Sequence, residues 1–319
     1  MDTFHVQWHI TDYCNLRCTH CYQDGYSRAT QLPYLRLKAL ADNIFEFLRA
    51  TGRRLTVNLT GGEPLLHPDW ERLLAYLRES RLVKETGIIT NGFFLSDEIL
   101  VRLAGYRGLT LKISAEGFTE ESYELFRGKG TFAKFAALTA RLDRTPQRKT
   151  IMFTLCAHNV DQVPALFPFA REHGFDSFIV ERFVPWGRGN AIRALVVDAD
   201  GWRRTLTALA ENCGFDRDIS GLLPYTAFQV KCRKNRFELF GAPCVVGRDG
   251  MALMPDGTVY PCRRFPLAIG NLQTTPLKSI WDTSPVLAAA AQCPGCRAMA
   301  YALTGNYLAE DPLNDECGM

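Results

Sequence analysis

Short runs of β-branched and aromatic residues alternate with amphipathic helical stretches through the first two-thirds of the 319-residue chain, and this alternation restricts the fold more than any other feature. Residues 4–10, 55–59, 86–90, 109–114, 150–155 and 178–183 read as strands, with helices expected over 34–49, 69–79, 97–103, 132–142 and 163–173. Strand-helix repeats of this length place successive strands parallel, because the helix carries the chain back along one face of the sheet. Six such units predict an α/β fold built as a partial (β/α)6 barrel, with its working end at the carboxyl ends of the strands. After residue 198 the pattern changes to one helix over 201–211, irregular sequence, and a hairpin over 251–260 whose Pro255-Asp256-Gly257 supplies the turn. The sequence therefore divides into a core over 1–198 and a smaller hairpin-and-helix domain over 199–319.

No stretch approaches the roughly 18 apolar residues that a membrane helix needs, and the N-terminus has neither a basic nor an apolar signal region, so a cytoplasmic location is expected. Against 37 basic residues stand 34 acidic ones. A net charge of +3 gives little long-range attraction for nucleic acid, and no nucleic-acid partner is expected. In a reducing compartment the 11 cysteines are better read as metal ligands or catalytic thiols than as a disulfide framework.

Three of them, Cys14, Cys18 and Cys21, form a CxxxCxxC segment directly after the first predicted strand. As a helix face of small apolar residues the segment fails, because Thr11, Asp12 and Asn15 favour turns and no apolar face continues past Cys21. A structural zinc site usually takes four ligands, and no fourth is near. Three thiolates around four irons leave one iron open to a chelating ligand.

This spacing, with His20 before the third cysteine, resembles the signature of radical S-adenosylmethionine (SAM) enzymes. The resemblance implies a 4Fe-4S cluster on Cys14, Cys18 and Cys21, SAM at its open iron, and reductive cleavage of SAM to a 5′-deoxyadenosyl radical. Gly61-Gly62-Glu63-Pro64, at the end of the second strand, matches the family motif that contacts the SAM amino group. Its glycines suit close backbone approach to a ligand, and its carboxylate suits an ammonium. Thr90-Asn91-Gly92 and Ser114-Ala115-Glu116-Gly117 resemble the motifs facing the adenosine and ribose, although the family more often has Asp where Glu116 stands. Phe126-Arg127-Gly128 and the Glu181-Arg182 and Gly187-Arg188-Gly189 segment also look familial, while the first two arginines fit surface or carboxylate-pairing roles equally well.

Cys244 and Cys262 bracket the predicted hairpin, and Cys293-Pro294-Gly295-Cys296 follows about thirty residues later. By spacing alone these four suit tetrahedral zinc as well as iron-sulfur. Their context is similar to the SPASM and Twitch extensions of radical SAM enzymes, which implies a second, auxiliary 4Fe-4S cluster. The full SPASM cysteine set is not present, so one cluster on Cys244, Cys262, Cys293 and Cys296 is expected, with Cys317 left over. Cys156 reads as a core residue, and Cys213 and Cys232 have no partner at ligand spacing. On the first strand His5, Gln7 and His9 share a polar face, which could line the substrate cavity with His9 nearest the cluster. No catalytic side chain is assigned.

The resemblance is strongest to peptide-modifying maturases, which implies oxidation or cross-linking of a ribosomally made peptide. It also implies a reductant such as flavodoxin or ferredoxin and, since no leader-binding segment precedes the first strand, a separate leader-recognition protein or direct capture. Oxidation of a tetrapyrrole or other cofactor precursor is the enzymatic alternative. A two-cluster electron carrier is the non-enzymatic one, although it would have no use for the motifs around the open iron.

Overall fold

The computed structural model describes residues 3–215 and 218–313. Six strands follow one another in parallel and in chain order: β1 (Thr3–Thr11), β2 (Arg54–Gly61), β3 (Val83–Thr90), β4 (Leu109–Ser114), β5 (Arg148–Leu155) and β6 (Ser177–Arg182). Their crossovers carry α1 (Tyr34–Thr51), α2 (Trp70–Glu79), α3 (Asp97–Ala104), α4 (Glu120–Arg127), α5 (Phe132–Leu142) and α6 (Leu166–Glu172). The alternation of β1 explains its place: Phe4, Val6, Trp8 and Ile10 are fully buried, while His5 and Gln7 on the other face are only partly so. Opposite them α1 buries Leu37, Leu40, Ala41, Ile44 and Leu48 at helical spacing, and Gly52 ends the helix in the left-handed conformation.

Beyond β6 comes α7 (Ala199–Asn212), whose first turn is capped by Asp198 accepting from the Gly201 amide. The antiparallel hairpin of β7 (Ala227–Cys232) and β8 (Phe237–Ala242) then pairs onto β6. At the other edge β9 (Gly250–Leu253) runs parallel to β1, followed outward by β10 (Thr258–Tyr260) and β11 (Gly270–Asn271). The sheet thus has eleven strands and does not close, since β1 meets β9 and β6 meets β7. It is the expected partial barrel, and it runs on past residue 198 without a break. Three short helices, α8 (Leu277–Thr283), α9 (Pro285–Ala290) and α10 (Arg297–Thr304), complete the described chain.

The helix expected over 163–173 is shorter in the structure, starting as a 3-10 turn at Val160–Gln162 and becoming α-helical only from Leu166. Among the described residues no helix is long and apolar enough to cross a membrane.

Candidate active site

The loop after β1 is held from three sides. Gly62 and Glu63 donate their amides to the carbonyls of Thr11 and Tyr13, both at 2.8 Å. The Thr19 amide reaches the Phe126 carbonyl at the end of α4 (2.9 Å), and the Gly189 amide reaches the Cys21 carbonyl (2.9 Å). These approaches need glycine. A Cβ on Gly61 would stand 2.2 Å from the Thr11 oxygen, and one on Gly62 would stand 2.3 Å from that of Tyr13. Gly187, at φ +57°, would put its Cβ 2.4 Å from the Tyr22 oxygen. The glycines expected to admit a ligand are therefore pressed against the cysteine loop itself, while Gly61 and Gly62 also line the cavity beside it.

That cavity, about 1010 Å³ with its open mouth included, lies at the carboxyl ends of the parallel strands. Cys14, Cys18 and Cys21 line it together with His20, Asn91, Ser114 and Glu116. Soft thiol donors facing an open space suit an iron-sulfur cluster with one free position. Burial pushes Cys14 up to about 11 and Cys18 up to about 12, so iron has to displace their protons. Among the described residues no three His, Cys, Asp or Glu side chains converge as a single metal ion requires. Neither cysteine set is thus preformed for a zinc ion about 2.3 Å from each sulfur.

The carboxylates of this end are all occupied. Glu63 accepts from the Thr90 hydroxyl (2.7 Å) and from the amides of Asn91 (2.9 Å) and Leu65 (3.3 Å). Burial nevertheless pushes it up to about 7, because these hydrogen bonds offset only part of the desolvation. Asn91 donates to the Asn15 side chain at 2.9 Å, tying β3 to the cysteine loop. Arg127 grips Glu116 with two hydrogen bonds of 2.6 and 2.9 Å, and His20 stands 3.4 Å from the same carboxylate. Burial alone would raise Glu116, but Arg127 and then His20 outweigh it and hold the group near 2. Its charge contributes stability that is complete above the ordinary value of 4.5 and lost as pH falls toward 2. Arg127, which the sequence left between surface and pairing roles, is therefore a buried pairing residue.

His9 does not reach the cavity wall. It is fully buried, with its Nε2 3.5 Å from the Tyr22 hydroxyl, and Tyr22 is the residue that lines the cavity. Burial and then Arg263 depress His9 to about 3, so it is neutral near pH 7. Sequence reasoning also missed Arg263 and Arg264, which enter the cavity from the segment after β10 and flank Glu181 at 2.5 and 3.6 Å. Their only signal was the Arg263-Arg264-Phe265-Pro266 run next to Cys262.

Cys244 lies within electrostatic reach of both Cys262 and Cys296, and burial raises Cys244 and takes Cys296 up to about 11. Cys293 stands just ahead of Cys296, its thiol 3.6 Å from the Ala289 carbonyl. Cys156 is buried beside Phe126 and Phe183, just past β5. The structure brings Cys213 near Cys232, which raises the Cys213 thiol after burial has done so. Cys317 lies outside the described residues.

Asp311 secures the second cysteine set from the far end of the chain. Its fully buried carboxylate pairs with Arg182 at 3.2 and 2.5 Å and accepts from the Cys296 amide at 2.7 Å. Removing one partner of a buried ion pair strands the other, a cost of about 3–5 kcal/mol. Asp311→Ala is expected to lose that much stability in anaerobic denaturant titration, and Asp311→Asn, which keeps an acceptor, to lose less.

Comparison with known proteins agrees with this arrangement. The Radical SAM superfamily model matches residues 8–169, just over half of the chain, and the SPASM iron-sulfur cluster-binding domain matches residues 244–300. The AdoMet-dependent heme synthase of Methanosarcina barkeri is 26% identical, over 96% of this chain and 95% of its own. The antilisterial bacteriocin subtilosin biosynthesis protein AlbA of Bacillus subtilis is also 26% identical, over 88% of this chain but only 59% of its own. In fold the chain resembles Streptococcus suis SuiB bound to the precursor peptide SuiA, with a TM-score of 0.71 at 17% identity over 100% of this chain and 76% of that one. The chain therefore belongs to the radical SAM superfamily, as an enzyme that uses 4Fe-4S clusters and S-adenosylmethionine and carries an iron-sulfur cluster-binding SPASM domain.

Proposed function

We propose that the protein oxidises or cross-links a ribosomally made peptide. The core is taken as residues 1–198, with Cys14, Cys18 and Cys21 holding the cluster that binds SAM. Residues 199–319 carry the auxiliary cluster on Cys244, Cys262, Cys293 and Cys296. The observation that carries this reading is the cysteine loop, fixed on three sides and opening into one cavity at the carboxyl ends of the strands. Bound there, the cluster supplies the electron that splits SAM to a 5′-deoxyadenosyl radical. The rest is the work of the chain. Gly61 and Gly62 hold the loop against β2, and Asn91 and Ser114 offer hydrogen-bonding groups to SAM. Glu63, the expected acceptor of the SAM amino group, is buried behind the cavity wall and bonded to Thr90 and to the Asn91 and Leu65 amides, so it fixes the Gly61-Gly62 turn. His20 and Glu116 shape the wall between loop and α4. A small electron-transfer protein such as flavodoxin or ferredoxin supplies reducing equivalents in the cytoplasm. The peptide enters through the open mouth, either captured directly or delivered by a separate leader-recognition protein.

The likeness to the subtilosin biosynthesis protein and to the SuiB fold supports a peptide substrate. A second reading, oxidation of a tetrapyrrole, is favoured by the match to the heme synthase along nearly the full length of both chains. Anaerobic incubation with candidate precursor peptides is expected to yield a product lighter by the hydrogens removed, seen by mass spectrometry. A product formed from tetrapyrroles alone would overturn the peptide reading in favour of the second.

A further inference from the structure

One side of the cavity carries more positive charge than its carboxylates can balance. Glu63 is committed to Thr90 and backbone amides, and Glu116 to Arg127. Glu181 alone remains, and it is shared by Arg263 and Arg264. A third cation, Lys112, stands on β4 two residues before the cavity-lining Ser114, so its side chain leaves the same face one layer deeper. The Lys112 side chain passes over Gly87, where a Cβ would come within 3.2 Å of its Cε and 2.3 Å of the Asn58 Oδ1. Glycine at 87 thus leaves room for a lysine inside the barrel.

Around Lys112 the other interior groups carry no compensating charge. His5 bonds Thr56 at 2.9 Å and is held neutral, near 3, by burial and then by Lys112 itself. Asn58 is uncharged, and Glu85 lies on the exposed part of β3. No carboxylate stands within ion-pair distance of Lys112 among the described residues, while burial, countered in part by Glu181 and Glu85 and reinforced by Arg263, brings its ammonium down to about 8. Arg264 is also turned to Cys262 and Cys296, so the uncompensated charge comes from Arg263 and, one layer below the lining, Lys112, which share the one carboxylate of Glu181. That excess favours an anionic visitor, since a partly desolvated charge gains most from a partner that comes with its own charge.

We infer that Lys112, with Arg263 and Arg264, forms a subsite that binds a carboxylate of the substrate on the side of the cavity away from the cysteine loop. The inference rests on reading this cavity as the substrate site. A side-chain or terminal carboxylate of a peptide and a propionate of a tetrapyrrole share the required chemistry. Arg263 and Arg264 remain bridged through Glu181, so they present a fixed positive edge, and Lys112, which lies below that edge over Gly87, supplies the ammonium that draws the anion inward.

Anaerobic calorimetry on the holoprotein with SAM saturating, so that the loop side is filled, tests this with glutarate against its neutral isostere glutaramide. Glutarate is expected to bind at least tenfold more tightly than glutaramide, and Lys112→Met to remove that preference, while Lys112→Arg keeps most of it. Equal binding of the two probes, or glutarate binding unchanged in Lys112→Met, would overturn the subsite. Circular dichroism of Lys112→Met guards against misfolding. A Glu-containing pentapeptide against its Gln counterpart, and mesoporphyrin in a separate arm, identify the source: the one whose affinity depends more on Lys112 is the physiological type of carboxylate. None of these measurements requires turnover. Failure of the subsite is therefore distinguishable from failure of the radical reading, which release of 5′-deoxyadenosine by the parent protein tests separately.

Discussion

Cys18→Ala is expected to abolish the release of 5′-deoxyadenosine from reconstituted, reduced protein supplied with SAM. The loss should exceed the about 10–100-fold that removal of a supporting partner of a metal site costs, because on the proposed assignment a ligand itself is gone. Cys18 is the middle cysteine of the loop, within electrostatic reach of Cys14 and Cys21 and of the Arg127 and Glu116 pair. Among the described residues outside the two cysteine sets, no other cysteine is placed to replace it. Cys156 is turned into an apolar cluster with Phe126 and Phe183, and Cys213 and Cys232 lie at the ends of α7 and β7. The check is chromatographic quantitation of 5′-deoxyadenosine with iron and sulfide analysis on the same sample. Parent-like cleavage by Cys18→Ala would refute the assignment of the first cluster. Cys156→Ala serves as the matched control, losing packing but neither iron nor SAM cleavage.

The parts of this site that were legible in the sequence are those encoded locally. Strand alternation and helical spacing give the parallel β1 to β6, and CxxxCxxC gives three thiols on one loop. The motifs at strand ends reach the cavity because a parallel barrel brings every strand's carboxyl end to one side. What spacing could not show is contact between distant segments. Arg263 meets Glu181 across 82 residues of chain, and Asp311 meets Arg182 across 129. Glu63 could be read as a free carboxylate only until Thr90 and the Asn91 amide were placed on it. His9 looked like a cavity residue because period-two alternation gives the face of a strand but not what stands in front of it, and Tyr22 does. The α4 helix was overlooked for another reason: Glu120 to Arg127 is largely polar and leaves Leu125 exposed, so its apolar stripe is short, and its start is fixed instead by the Thr119 and Ser122 capping box. The β7–β8 hairpin has the same weakness, since only Phe228 and Val230 of its first strand are fully buried.

On the proposed assignment the auxiliary cysteines are expected to separate radical generation from the later oxidation of substrate. Cys262 and Cys296 sit among Val184, Phe265, Met299 and Tyr301 in an apolar cluster of their own, apart from the loop that carries Cys14, Cys18 and Cys21. Arg264 spans the gap, since it lines the cavity, donates to the Arg182 carbonyl at 2.8 Å and lies beside Cys262 and Cys296. A cluster held there is placed to take an electron from a substrate in the cavity, or to bind part of it, while SAM cleavage depends on neither. The double variant Cys262→Ala, Cys296→Ala is thus expected to fall from about eight iron per chain to about four, to keep forming 5′-deoxyadenosine, and to make no oxidised product. Some loss of stability accompanies it, because metal binding contributes directly to folding. Iron content read together with zinc discriminates the possibilities: a parent protein with about four iron and one zinc per chain would sink the two-cluster assignment. Retention of about eight iron by the double variant would show that other cysteines hold the second cluster. Loss of both clusters together with SAM cleavage would mean that the two regions fold as one unit, and Asp311, which ties Cys296 to the end of β6, is the residue whose replacement should then reproduce that loss.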